Sequence, residues 1–235
     1  MNDMTVPTSG ALAVPGRGFE GMRVSKEDLI IPRAKLLQAL SPEIAEGLVD
    51  GAKAGQIRNS LTKDVLPSRV VPIFAFKSWF RFNPRDRAKE GYDPAYQPGA
   101  MIWRSMNPDD PKVQEEASFG SNGELPLAMT CLNFFAFFPG VLMPIVLSFS
   151  KTSYKTGKQL LSLARFCGGD MWSRAYQLGA VSQTNDKGTF YVFTVMSLGE
   201  SSADERHQAE SWWTMFSDKI ADVKVHEEEE ADVEA

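Results

Sequence analysis

Residues 132–149 read LNFFAFFPGVLMPIVLSF, a stretch without a single charge, and its interruptions decide how it can be buried. A membrane-spanning helix needs ~18 uninterrupted apolar residues, and Pro139, Gly140 and Pro144 break this run. Pro-Gly is a turn signal. Segments 126–138 and 141–150 are therefore expected to form an antiparallel hairpin with its apolar side chains buried. Pro144 cannot donate to a strand ladder, so the second strand lies near an edge or begins after it.

The rest of the chain has the same β texture around two helices. Residues 69–82, RVVPIFAFKSWFRF, are rich in the β-branched and aromatic residues that suit strands. A shorter strand, 100–106, follows a Pro/Gly-rich loop. A helix is expected over 153–166, with Thr152 or Ser153 as N-cap and Gly168-Gly169 past its end. Residues 177–184 and 188–198 form a second hairpin across Asn185-Asp186-Lys187. A last helix, 203–221, opens with Ser201-Ser202 and an acidic first turn, and buries Trp212 or Trp213, Phe216 and Ile220.

Ahead of these lie a Gly/Pro-rich flexible leader, 1–25, and a helical or irregular segment, 26–64, interrupted by Pro32 and Pro42. Three or four strands, a helix, a hairpin and a helix define an α+β class that is mainly β. That order suits an OB-like antiparallel barrel with a helix between strands and a C-terminal helix, over residues 65–221. An α+β sheet of another topology gives the same string.

The net charge of −5 hides a split. Residues 222–235 carry −6, residues 200–221 carry −3, and the first 199 residues are left at +4. The acidity belongs to the C-terminal end, VHEEEEADVEA, which reads as a disordered acidic tail. The body is mildly basic.

Few enzymatic chemistries find their parts here. GRGFEG has the spacing of a dinucleotide loop but neither the strand before it nor the helix after it. KTSYKTGK lacks the first glycine of a phosphate loop and the Ser or Thr after the Gly-Lys. No GxSxG is present, and His207 and His226 lie far in sequence from Cys131 and Cys167, so no zinc spacing exists. Asp109-Asp110 and Glu115-Glu116 read as a solvated loop more readily than as a nuclease metal cluster. We expect no enzyme activity, no metal and no cofactor. Two cysteines, no secretory signal and no membrane span fit a protein of the cytoplasm.

Positive charge and aromatic rings fall together in two places. If side chains alternate along 69–82, Val70, Phe74, Phe76, Phe80 and Phe82 take one face, and Lys77, Trp79 and Arg81 the other. A flat ring flanked by cations suits a base between phosphates. Either that face meets a ligand or another layer covers Trp79 while its cations reach past it. Arg85, Arg87 and Lys89 continue the positive run. In 148–166 no acid interrupts Lys151, Lys155, Lys158 and Arg165, with Tyr154 among them. Leu160, Leu163, Ala164 and Cys167 share the opposite, apolar stripe. Trp103 and Arg104 are further contact candidates, whereas Tyr191 and Phe193 belong to the core by default. The tail acids Glu227, Glu228, Glu229, Glu230, Asp232 and Glu234 would occupy such a cationic surface at high effective concentration until a longer polyanion displaced them.

This plan resembles that of the bacteriophage single-stranded DNA-binding proteins of the T7 type. The similarity rests on the OB-like order over 65–198, the Lys77-Trp79-Arg81 face, and EEEEADVEA after a C-terminal helix. The phrases IIPRAKLLQALSPEI and KTSYKTGKQLLSLARFCGGDMWSR are also similar in character to phage replication-region proteins. The resemblance implies coating of exposed strands in replication or recombination, with tail contacts to replication proteins. More loosely, the plan is similar to the bacterial proteins, whose tails end in an apolar Phe tip that this tail lacks. Self-association stays open. The rival readings are a structural or assembly component of a virion and a recombination annealing protein or nuclease.

Overall fold

The computed structural model describes residues 30–119, 123–186 and 188–217, with the backbone pairing of 224–225. In chain order its elements are β1 (Ile30–Ile31), β2 (Ala34–Leu36), α1 (Pro42–Ala45), β3 (Ile57–Asn59), β4 (Arg69–Phe82), β5 (Met101–Ser105) and α2 (Pro111–Glu116). They continue with β6 (Met129–Phe137), β7 (Ile145–Phe149), α3 (Tyr154–Phe166), β8 (Arg174–Asn185), β9 (Gly188–Glu200), α4 (Ala203–Phe216) and β10 (Lys224–Val225). The protein is α+β and mainly β.

Both expected hairpins form. β6 and β7 pair from Leu132↔Phe149 to Ala136↔Ile145, and β7 begins directly after Pro144. β8 and β9 pair from Arg174↔Glu200 to Asn185↔Gly188. The long strand β4 joins them, pairing with β6 along most of its length and with β8 at Arg69 and Val70. The resulting path is β7-β6-β4-β8-β9, with β5 on the far end of β4.

The meander, helix and hairpin thus follow the expected order, but the barrel does not close: among the described residues β7 and β9 do not pair. The N-terminal segment occupies both free edges instead. The Pro32 carbonyl accepts from the Val146 N–H on β7 at 2.9 Å. The Gln38 amide takes both backbone groups of Tyr191 on β9, donating to its carbonyl at 3.0 Å and accepting from its N–H at 2.7 Å. These contacts cover part of each free edge. In this segment, read as helical or irregular, β2 pairs with β3, and among the described residues the one helix, α1, is a single turn with Pro42 in its first turn.

Two cores sandwich the sheet. On one face α3 lies over Phe134, Phe149, Tyr176 and Phe193, burying Leu160 and Ala164. The helix approaches closely because Gly157 has no side chain. A Cβ there would sit 2.7 Å from the Phe149 Cβ. Cys167, expected on the buried stripe, is exposed, since α3 ends at Phe166 and the chain turns away through Gly168 and Gly169, both at positive φ. On the other face α4 covers Val71, Ile73 and Phe135 with Ala209, Trp212 and Phe216. Trp213 stays 43% exposed against Trp172, and Ile220 lies outside the described residues.

One irregularity changes the reading of β4. The ladder to β6 shifts register between Pro72 and Phe74, where Pro72 has no N–H to donate. A bulge resets the alternation. Val71 and Ile73 therefore share the α4 side with Phe74 and Phe76, while Val70 belongs to the α3 side with Ala75.

Candidate nucleic-acid interface

Trp79, Arg81 and Trp103 are brought together, but under a lid. Arg81 and Trp103 are partners across the β4–β5 ladder, so their side chains share one face. That face is covered by α2, read from the sequence as part of a solvated loop. Asp110 caps the helix, accepting from the Lys112 N–H at 3.0 Å, and Pro111 fills its first turn. From the last turn Glu116 reaches back to the sheet. One carboxylate oxygen accepts from Arg81 Nη1 at 2.8 Å and the other from Trp103 Nε1 at 2.8 Å. Arg81 Nη2 also donates to the Gly91 carbonyl at 2.7 Å. Trp103 is 8% exposed, packed with Val113 and Ala128, and Trp79 is half-buried against them. These rings and this guanidinium hold α2 to the sheet, because a buried charge and indole N–H need such partners. Of the two readings of the Lys-Trp-Arg face, the covered one holds for Trp79 and Arg81, and Lys77 alone is exposed, between the stretches covered by α3 and α2.

The remaining candidates of this region diverge. Arg104 pairs with Phe80 across the ladder, which puts it on the opposite face of the sheet. There Phe76, Phe80 and Phe82 are half-buried. Arg85 and Arg87 are exposed in the loop after β4. That loop is closed by the fully buried Asn83, whose Nδ2 donates to the carbonyls of Asp93 at 2.9 Å and Tyr96 at 2.8 Å.

The second cationic segment is assembled as expected. Lys151 opens a short 3-10 turn with a left-handed backbone, φ 48°, and leads into α3. Lys155 and Lys158 are exposed on the helix, and Tyr154 packs its ring partly against the core beneath. Lys158 Nζ lies 5.5 Å from the centre of that ring, within cation–π range. Among the described residues Lys77, Lys155 and Lys158 have no ion-pair partner. Arg69, Arg81 and Lys35, in contrast, are bonded to Glu205, Glu116 and Glu43. Acids are scarce here: residues 125–185 contain one, Asp170. Phe193 belongs to the interior, as expected, whereas Tyr191 is half-buried. Phe193 is buried, and Gly55 packs so close to the Tyr191 ring that a Cβ would sit 2.6 Å from it.

The tail acids Glu227, Glu228, Glu229, Glu230, Asp232 and Glu234 lie outside the described residues. Just before them, the backbone of Lys224–Val225 runs parallel to Ile30–Ile31. No three His, Cys, Asp or Glu side chains converge among the described residues, and no described helix is long and apolar enough to cross a membrane.

The model of the Pam3 phage gp34-like protein family matches residues 5–222. The chain belongs to that family. It is a bacteriophage protein, as the resemblance implied. No curated protein and no solved structure matches it. The match to this phage family covers the whole sheet with α3 and α4 and stops short of the EEEE run.

Proposed function

We propose that this phage protein binds single-stranded DNA in the host cytoplasm, coating exposed strands in replication or recombination without catalysing a reaction on them. The observation that carries this reading is the lysine row of α3. Lys155 and Lys158, with Lys77 on the same side of the sheet, hold no ion pair among the described residues, in a stretch nearly free of acids. Cations left unpaired in this way gain most from a polyanion, because each phosphate contact releases condensed counterions. The same account gives the tail its role. Its root is paired to β1, and β1 leads into the Pro32 carbonyl bonded to β7, the strand before Lys151. The acids that follow compete with a weak ligand for the cations and are free for replication proteins once displaced.

The test is titration of oligo-dT at two salt concentrations, followed by tryptophan fluorescence. Binding should weaken linearly in log salt, and Lys155→Ala with Lys158→Ala should reduce the slope by about 1.4, at ~0.7 per phosphate contact. Deleting 222–235 should tighten binding at low salt. Absence of binding at low salt, with or without the tail, would refute the proposal.

A further inference from the structure

Trp103 is buried and Trp79 half-buried beneath α2, which covers two of the rings that the sequence offers for base stacking, and the structure supplies another. Phe166, the last residue of α3, is 86% exposed, the most exposed aromatic side chain among the described residues. A phenylalanine ring left in water forfeits its burial energy, so its surroundings bear on what it meets. On α3 the exposed residues include Lys155, Lys158, Ser162 and Arg165, spaced 3, 4 and 3 apart. That spacing keeps them on one strip of the helix. Phe166 stands at the end of this strip, beside Arg165, which likewise has no ion-pair partner among the described residues. Lys155 to Phe166 spans about 16 Å at 1.5 Å per residue, room for a short run of nucleotides.

Of the other exposed rings, Phe119 follows Glu115 and Glu116, Trp213 leans on Trp172 beside Glu210, and Tyr96, at 40%, is less than half as exposed as Phe166.

Resting on the proposed DNA-binding reading, we infer that a single strand runs along the outer face of α3. Its phosphates meet Lys155, Lys158 and Arg165, and one base stacks on Phe166. A ring face accepts any base, so this contact adds affinity without sequence preference. Arg165 contributes both a phosphate contact and a flat cation next to the stacked base.

The experiment compares Phe166→Ala, Phe166→Leu and Phe166→Tyr in the full chain, with oligo-dT and with an abasic oligonucleotide of the same length. Stacking of one base predicts that Phe166→Ala weakens oligo-dT binding about 5- to 150-fold. Phe166→Leu should lose as much and Phe166→Tyr little, while abasic binding stays unchanged in all three. Phe166→Leu binding like the natural chain would overturn the inference, since apolar volume would then suffice. Unchanged affinity in Phe166→Ala with altered self-association would also overturn it, giving the ring to a protein contact. If Phe166→Ala binds normally while the Lys155/Lys158 double variant loses its salt slope, the stacking fails and the DNA-binding reading survives. If the natural chain does not bind oligo-dT, both fall.

Discussion

Glu205 ties the start of α4 to the start of β4, and replacing it with glutamine tests whether that tie holds the helix on the sheet. Its two carboxylate oxygens accept from Arg69 Nε at 2.6 Å and Nη2 at 2.9 Å. One of them also accepts from the Ser202 N–H at 2.7 Å, while the Ser202 hydroxyl accepts from the Glu205 N–H, completing a capping box. Arg69 is the main reason the Glu205 carboxyl is pushed down from an ordinary 4.5 to about 2. Unscreened, that displacement corresponds to about 3 kcal/mol. The Arg69 side chain is 37% exposed, so solvent screening reduces the contribution to about 1–2 kcal/mol. The folded-state value lies below the unfolded one, so this stability is fully present above pH ~5 and fades as pH falls toward 2. Urea unfolding should therefore show Glu205→Gln less stable by about 1–2 kcal/mol at pH 7, with less than half of that difference left at pH 3. A difference that persists undiminished at pH 3, or is absent at pH 7, would refute the reasoning.

Two further outcomes follow from close packing and from α2. Gly157→Ala should lower the thermal midpoint despite the ~1 kcal/mol helix-propensity gain, because overpacking against Phe149 costs about 1–3 kcal/mol; a rise in midpoint would mean that α3 shifts freely. Glu116→Ala should leave the Arg81 guanidinium and the Trp103 N–H without their partner and cost about 1–3 kcal/mol. Near-ultraviolet circular dichroism should report the loosened tryptophans, and an unchanged spectrum with unchanged stability would show that α2 is held by other contacts.

What could be read from the sequence was set by local chemistry. Pro139-Gly140 and Pro144 placed the β6–β7 hairpin, and the apolar stripe of Leu160 and Ala164 placed α3 on the sheet. Ser202 with Glu205 three residues on marks the start of α4. The misreadings came from contacts distant in sequence. The bulge at Pro72 depends on the partner strand, so counting alternate residues assigned Val70 to the wrong side of β4. Asp110-Pro111 carried a legible cap and helix start for α2, but the acids around it suggested solvent. Only the fold shows Glu116 reaching Arg81 and Trp103, 35 and 13 residues away. The exposure of Phe166 at the end of α3 is set by the fold and is not legible in the sequence. The meeting of the Gln38 amide with Tyr191 at the open edge, across 153 residues, is likewise set by the fold.

Photo-crosslinking of the full chain to oligo-dT, with the joined peptides mapped by mass spectrometry, locates the strand directly. A strand lying on α3 should attach within residues 151–166, with Tyr154 and Phe166 as the acceptors nearest the cations. Attachment confined to the peptides holding Phe76, Phe80 and Phe82, or to no peptide at all, would contradict it.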